Sequence, residues 1–263
     1  MIKKIIKNIL GEKLSNKLYL MANGIKKYNL LDSLKPMSLI YNINDLNKKY
    51  YDKIKNTGNR EFEHQIGRLI NFKKIISKCS GLKGEFIEFG SWRGFSLLWI
   101  AYFMERFAII NKKLIGIDGF IGLPYEDKLF FKGQFNNTSL RLCKKNVLNS
   151  NILYPETIKQ IHIKKYLYRQ KQEILKYLMT INVKGFCFIH IDCDVSQSAI
   201  EIFDILIDGD LIADKAYILF DDYGCDSGLR RVVDKFLKKI SDDWIIKVDS
   251  NTKFTKNYLL IKK

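Results

Sequence analysis

The sequence predicts an α/β protein with a mostly parallel sheet of seven strands, and three observations predict it. From Gly81 onward, short apolar runs alternate with amphipathic stretches, the pattern of strands connected by helices. Several of the apolar runs end in glycine or an acidic residue. The last two runs are separated by too few residues for a crossover helix, so they pair as an antiparallel hairpin. Residues 1–80 have a different pattern, helical throughout. The chain therefore divides into an N-terminal helical region over 1–80, a candidate lid or oligomerisation element, and an α/β domain over 81–263.

In the first region Ile2, Ile5, Ile6, Ile9, Leu10 and Leu14 recur at helical spacing between lysines. A second amphipathic stretch, Glu61 to Ser77, places Phe62, Ile66, Leu69, Ile70 and Ile76 mostly on one side, a docking stripe for the body of the protein. Phe86–Phe89 is the first strand and turns at Gly90 into a helix over Phe95–Phe107. Leu114–Asp118 is the second strand. Residues 134–150 read as helix and Ile158–Ile163 as a weaker strand. Phe186–Ile191 and Ala216–Phe220 are strongly apolar strands, each followed by aspartate, and a helix over Leu229–Lys239 comes next. Trp244–Val248 and Tyr258–Ile261 form the closing hairpin.

Composition limits the functional classes. The net charge is +17, from 45 basic and 28 acidic residues, and 18 of the basic residues precede Gly84 against 6 acidic ones. The basic set is 37 Lys and 8 Arg. Nucleic-acid readers favour Arg for its bidentate fork, so a solvated basic face is expected and a nucleic-acid site is not. Weak contact of the basic N-terminal helix with a membrane surface is compatible with its pattern. The five cysteines, Cys79, Cys143, Cys187, Cys193 and Cys225, show no C-x-x-C pair, which argues against a disulfide scaffold or a zinc knuckle. Lys7 interrupts the apolar N-terminus before a signal-peptide core forms, and the longest apolar run, Leu97–Met104, is too short to cross a bilayer. A reducing, cytoplasmic location is expected.

Ligands of such sheets bind at the carboxyl ends of the strands. Four strands carry chemistry there: Glu88 and Gly90, Asp118, Asp192, and Asp221 with Asp222. Glycines in the turn from Glu88 to Ser96 allow a nucleoside to approach the backbone, but the turn lacks the G-x-G-x-x-G of dinucleotide sites. Asp118 is placed to accept ribose hydroxyls; its alternative role is a turn residue. Asp192, Asp221 and Asp222 offer hard oxygens suited to Mg²⁺ or a similar ion, since carboxylates so gathered need a positive partner. His190 reads as a core histidine, and His64 and His162 suggest no role. Trp92 and Trp99 read as packing residues, and Arg93 as a surface or lid contact, with a ligand carboxylate as its other possible partner.

These residues resemble the macrocin O-methyltransferase family over about residues 81–240. The resemblance rests on Gly84–Gly94, on Asp118-Gly-Phe-Ile-Gly-Leu-Pro124, on His190-Ile-Asp-Cys-Asp194, and on Asp221-Asp-Tyr-Gly224 followed by Gly228–Phe236. It implies a Rossmann-like fold and transfer of a methyl group from S-adenosylmethionine to a hydroxyl, with a divalent cation. Glu88, Gly90, Ser91, Gly94 and Ser96 would line the cofactor pocket, with Asp118, Gly119 and Phe120 at the ribose and Asp192 also bordering it. Asp192, Asp221 and Asp222 would hold the metal, and Asp192 and Asp194 would serve catalysis, Asp194 as general base. The implied acceptor is a small molecule containing a sugar, and a homodimer is an associated expectation. Two departures stand out. Val195-Ser-Gln-Ser198 replaces the family's Leu-Tyr-x-Ser, which alters the acceptor pocket, and Gly119 replaces a Ser or Thr. Two other readings stay open on the residues: a methyltransferase for a phosphorylated acceptor or RNA, and a silent nucleotide-binding fold.

Overall fold

A computed structural model describes residues 60–150, 152–224 and 228–263 of the chain. The expectations for the helix over 2–18 and for Cys225 lie outside these residues. The first helix, α1, spans Arg60–Ile76, followed by β1 (Glu85–Phe89), α2 (Phe95–Arg106), β2 (Leu114–Asp118), α3 (Leu140–Leu148), α4 (Pro155–Lys159) and β3 (Ile161–Lys165). Then come α5 (Lys171–Thr180), β4 (Phe186–Ile191), α6 (Ser196–Asp208), β5 (Ile212–Phe220), α7 (Leu229–Ile240), β6 (Trp244–Asn251) and β7 (Lys256–Lys262).

The seven strands form one sheet in the order β3-β2-β1-β4-β5-β7-β6. The first five are mutually parallel, whereas β7 runs antiparallel to both β5 and β6. This is the expected Rossmann-like methyltransferase architecture with its terminal hairpin. Strand order reverses between β1 and β4, and a crevice opens at such a point because the flanking connections leave to opposite faces.

Both faces of the sheet are covered, which is why its strands read as nearly continuous apolar runs. One core joins Phe86, Phe188 and Leu219 to residues of α1 and α2, and the other joins Ile87, Ile189 and Phe220 to α5, α6 and α7. Every residue from Ser96 to Met104 in α2 is buried, so that helix shows no polar face. Phe203 of α6 stacks on Phe236 of α7 with ring centroids 4.0 Å apart. Helix α1 is seated by polar contacts as well as by its apolar residues. Asn71 Nδ2 donates to Thr255 Oγ1 at 2.6 Å, and Lys78 Nζ meets Asp249 of β6 at 2.5 Å.

Boundaries differ from expectation in places. The helix expected over 134–150 is α3, which starts only after Ser139, whose hydroxyl accepts from the Leu142 N–H at 3.1 Å. The weak strand at Ile158–Ile163 divides into α4 and β3, because Pro155 starts a short helix and the ladder with β2 begins at Ile161. Helices α5 and α6 were not expected. In α5 only Ile174 and Leu178 are buried, an i, i+4 pair too sparse to stand out among its polar neighbours.

Candidate active site

The β-ladder continues one residue beyond β1, β4 and β5. Gly90 N–H donates to Ile117 O, Asp192 N–H to Phe89 O and Asp221 N–H to Ile191 O, each at 2.9 Å. Gly90, Asp192 and Asp221 thus sit in a row at the crevice. Gly90 has φ +93°, and a Cβ there would stand 1.6 Å from the Asp192 carbonyl oxygen, so both the dihedral and the approach of β4 require glycine.

A cavity of about 370 Å³ opens over this row. Gly90, Ser91, Ser96, Asp118, Gly119, Asp192, Asp194 and Asp222 line it. Glu88, Gly94, Phe120 and Asp221 are not in its lining. Gly94 is needed locally: it starts α2 with φ +88°, and a Cβ would fall 2.4 Å from Val147 Cγ2. Phe120 is buried with its backbone N–H on Asp118 Oδ1, and the Trp92 N–H reaches Asp118 Oδ2 at 2.7 Å. Asp118 therefore organises its turn, and each oxygen keeps a lone pair for a further donor. Burial raises its pKa, outweighing the two backbone N–H groups.

The loop after β2 forms the roof. Trp92 Nε1 donates to Phe135 O at 3.1 Å, Thr138 Oγ1 to Trp92 O at 2.6 Å and Arg93 Nε to Asn137 O at 2.8 Å. Arg93 is buried and braces this roof loop. Trp99 packs in the core, stacked on Phe103. Asp127 ties the roof to α6: its carboxylate accepts from the Ser196 backbone N–H at 3.1 Å and from the Ser196 hydroxyl. The serine that departs from the family pattern is thereby an anchor for the roof loop.

On the far wall, carboxylate oxygens of Asp192, Asp194 and Asp222 lie within 4.8 Å of one another. Asp194 and Asp222 adopt left-handed backbone, φ 60° and 53°, as do Trp92 and Phe120 at φ 41° and 51°. Three of these non-glycine residues, Trp92, Asp194 and Asp222, line the cavity and mark strain held in place by its surroundings. Burial and then the repulsion of Asp222 push the Asp194 carboxyl well above its ordinary range. Burial does the same to Asp192 despite Arg68, with Asp221 and Asp194 adding to the rise.

Asp221 has a different setting from its neighbour Asp222. Its side chain falls on the sheet face toward α1, where it meets Arg68 Nη2 in an ion pair and lies 2.8 Å from His64 Nε2. Arg68 Nη1 also reaches Asp192 Oδ2 at 3.1 Å. Burial opposes ionisation of Asp221, but Arg68 and then His64 overcome it and hold the carboxyl far below the usual range. His64 and Arg68 line the cavity; the sequence suggested no role for His64 and did not single out Arg68. The available signal was Phe72 and Ile75, at i+4 and i+7 from Arg68. They put apolar residues on the arginine's own side of α1 and so mark that side as buried too. His190 is the core histidine expected, with Nδ1 3.0 Å from Glu88 Oε1. His162 lies on β3, away from the cavity.

The pattern that defines Macrocin-O-methyltransferase (TylF) matches residues 64–257, most of the chain. The chain belongs to the macrocin O-methyltransferase family. It is an S-adenosylmethionine-dependent O-methyltransferase. The fold is similar to that of the O-methyltransferase NovP, at TM-score 0.60 and 16% identity over 95% of this chain and 99% of that one. CalS11, a calicheamicin methyltransferase, matches at TM-score 0.61 and 12% identity over 94% and 91%. Its apo structure describes it as a TDP-rhamnose 3′-O-methyltransferase. An O-methyltransferase from Bacillus cereus, in complex with SAH, matches at TM-score 0.50 and 11% identity over 94% and 97%. No curated protein matches the sequence. No described helix of this family member is long and apolar enough to cross a membrane.

Proposed function

We propose that the chain methylates a hydroxyl of a sugar or sugar-containing small molecule with the help of a divalent cation such as Mg²⁺. The carrying observation is the convergence of Asp192, Asp194 and Asp222 on one wall of a cavity whose other wall is the Gly90–Ser96 turn with Asp118. Carboxylates this close repel unless a cation or a proton sits among them, so the donor set fits a hard ion. Mg²⁺ is commonly held by one or two carboxylates, with water and substrate oxygens completing its shell. Asp192 and Asp222 suffice for that. Asp221, expected from the sequence as a third ligand, serves in this reading as the counter-charge of Arg68.

S-adenosylmethionine supplies an electrophilic methyl group on a sulfonium. A bound cation supplies Lewis acidity that lowers the pKa of an acceptor hydroxyl. The chain's own residues do the rest. Gly90, Ser91, Ser96 and Gly119 shape the nucleoside side, and Asp118 accepts the ribose hydroxyls. Asp194 takes the acceptor proton as the oxygen–methyl bond forms and the sulfur–methyl bond breaks, leaving a neutral thioether. Trp92 and the roof loop exclude water and align the acceptor with the methyl group, the main entropic requirement of an in-line displacement. His64, Gln65 and Phe254 border the same cavity, so α1 and the β6–β7 turn close the acceptor side.

The family and the TDP-rhamnose substrate of CalS11 support a sugar acceptor. The charge of +17 favours, as a second reading, a nucleotide-linked sugar over a free one. The free cysteines Cys79, Cys143, Cys187 and Cys193 suit a cytoplasmic setting. The test is S-adenosylhomocysteine release with a panel of free and nucleotide-linked sugars, in EDTA and after Mg²⁺ is restored. Full turnover in excess EDTA would remove the cation from the mechanism. Turnover confined to non-sugar hydroxyls would refute the acceptor class.

A further inference from the structure

Below the cavity wall, Glu88, His190, Asp192 and Asp221 form a second cluster on the α1 side of the sheet. Glu88 and His190 are opposite each other in the β1–β4 register, and both side chains are 0% exposed. Glu88 Oε1 holds His190 Nδ1 at 3.0 Å, and Phe72 packs edge-on against the imidazole at 4.9 Å. The other nitrogen, Nε2, has no hydrogen-bond partner among the described residues. A ring nitrogen of His190 and carboxylate oxygens of Asp192 and Asp221 lie within 4.8 Å of one another. A carboxylate that fixes one imidazole nitrogen and leaves the other bare is the support that metal-binding histidines have. With two aspartates it completes a donor set for Mn²⁺ or a similar ion.

Arg68 approaches this set from α1. Its guanidinium spans Asp192 and Asp221, its side chain is buried, and no other arginine or lysine pairs with either carboxylate among the described residues. Burial opposes the Arg68 charge, but Asp192 and Asp221 outweigh it and keep the group protonated.

We propose that Arg68 acts as a tethered cation in an inner His190–Asp192–Asp221 site. The cleft then takes one exchangeable ion, at the outer carboxylates, where the donors present would otherwise accommodate two. Unlike a metal ion, the guanidinium cannot dissociate, so Asp221 stays compensated when the outer ion leaves. Asp192 belongs to both clusters. Arg68 holds its Oδ2 and so leaves Oδ1 for the outer site, which makes Arg68 a positioning residue for it. The outer ion is the one proposed above; the inner donor set is argued independently of it.

The test counts Mn²⁺ bound per full-length chain by electron paramagnetic resonance and calorimetry. Wild type and Arg68→Lys should bind one ion, Arg68→Met a second, and Arg68→Met with His190→Gln should return to one. If Arg68→Met folds poorly, expression and purification in Mn²⁺ should rescue it with two ions per chain. An arginine with only a structural role would lower the melting temperature and add no ion. An Arg68→Met protein that binds no more Mn²⁺ than wild type, or is not rescued by it, overturns the proposal. Should wild type bind none, the outer-ion reading fails, while a single ion gained by Arg68→Met would still support the tethered cation.

Discussion

Asp222→Asn should stabilise the metal-free protein while abolishing its turnover. Asparagine is isosteric, tolerates the left-handed backbone at this position, φ 53°, and keeps an oxygen that can accept from a protonated Asp194, so the main change is the lost charge. Two ionised carboxylates at 4.8 Å, the spacing that bounds the cluster, repel by about 3.5 kcal/mol at an effective dielectric constant of about 20. Part of that is already relieved, because burial and Asp222 push Asp194 toward its protonated form, and water in the cleft screens more. A gain of roughly 1–2 kcal/mol remains, and each kcal/mol raises Tm by about 2–4 °C for a domain of this size. Thermal unfolding in EDTA should therefore place the variant a few degrees above wild type. Saturating Mg²⁺ or Mn²⁺ should reverse the order, because wild type gains binding energy that the variant lacks. A variant less stable than wild type in EDTA, with the same shift on adding metal, would refute the reasoning that these carboxylates are gathered for a cation.

Three further outcomes follow from the same geometry. Gly90→Ala places a methyl group 1.6 Å from the Asp192 carbonyl, so it should displace the end of β4 and weaken S-adenosylmethionine binding by tenfold or more, roughly 1.4 kcal/mol, measured by calorimetry. Asp127→Ala removes the acceptor for the Ser196 N–H and hydroxyl; it should cost about 1 kcal/mol of stability in urea and raise the acceptor KM with cofactor affinity unchanged. Asp249 is held below its ordinary pKa by Lys78 and Lys74, which outweigh its partial burial. A depressed carboxyl adds stability above its unfolded pKa of about 3.9 and loses it as pH falls through the folded value, so urea midpoints of wild type and Asp249→Asn should converge under acid conditions. Both lysines are well exposed, so the difference at neutral pH should stay below about 1 kcal/mol.

Much of the fold was legible because its signals are local. Phe86–Phe89, Leu114–Asp118 and Phe186–Ile191 are apolar on both faces, and only a doubly covered strand has that composition. The hairpin followed from the short connection between β6 and β7. Helix α5 escaped notice because its periodic apolar pair is too sparse, and α4 because one turn of helix has no period to detect.

The chain's residue order alone determined that Gly90, Asp118, Asp192 and Asp222 would meet, since a parallel sheet delivers all its strand ends to one edge. Whether adjacent acids face the same space was decided only in three dimensions. Asp221 and Asp222 are neighbours in the chain, yet one meets Arg68 and the other lines the cavity, because successive side chains leave a strand end on opposite sides. Arg68 and His64 joined the site through the docking of α1. The partner of a buried charge is set by packing across more than 150 residues of chain, which no local pattern records.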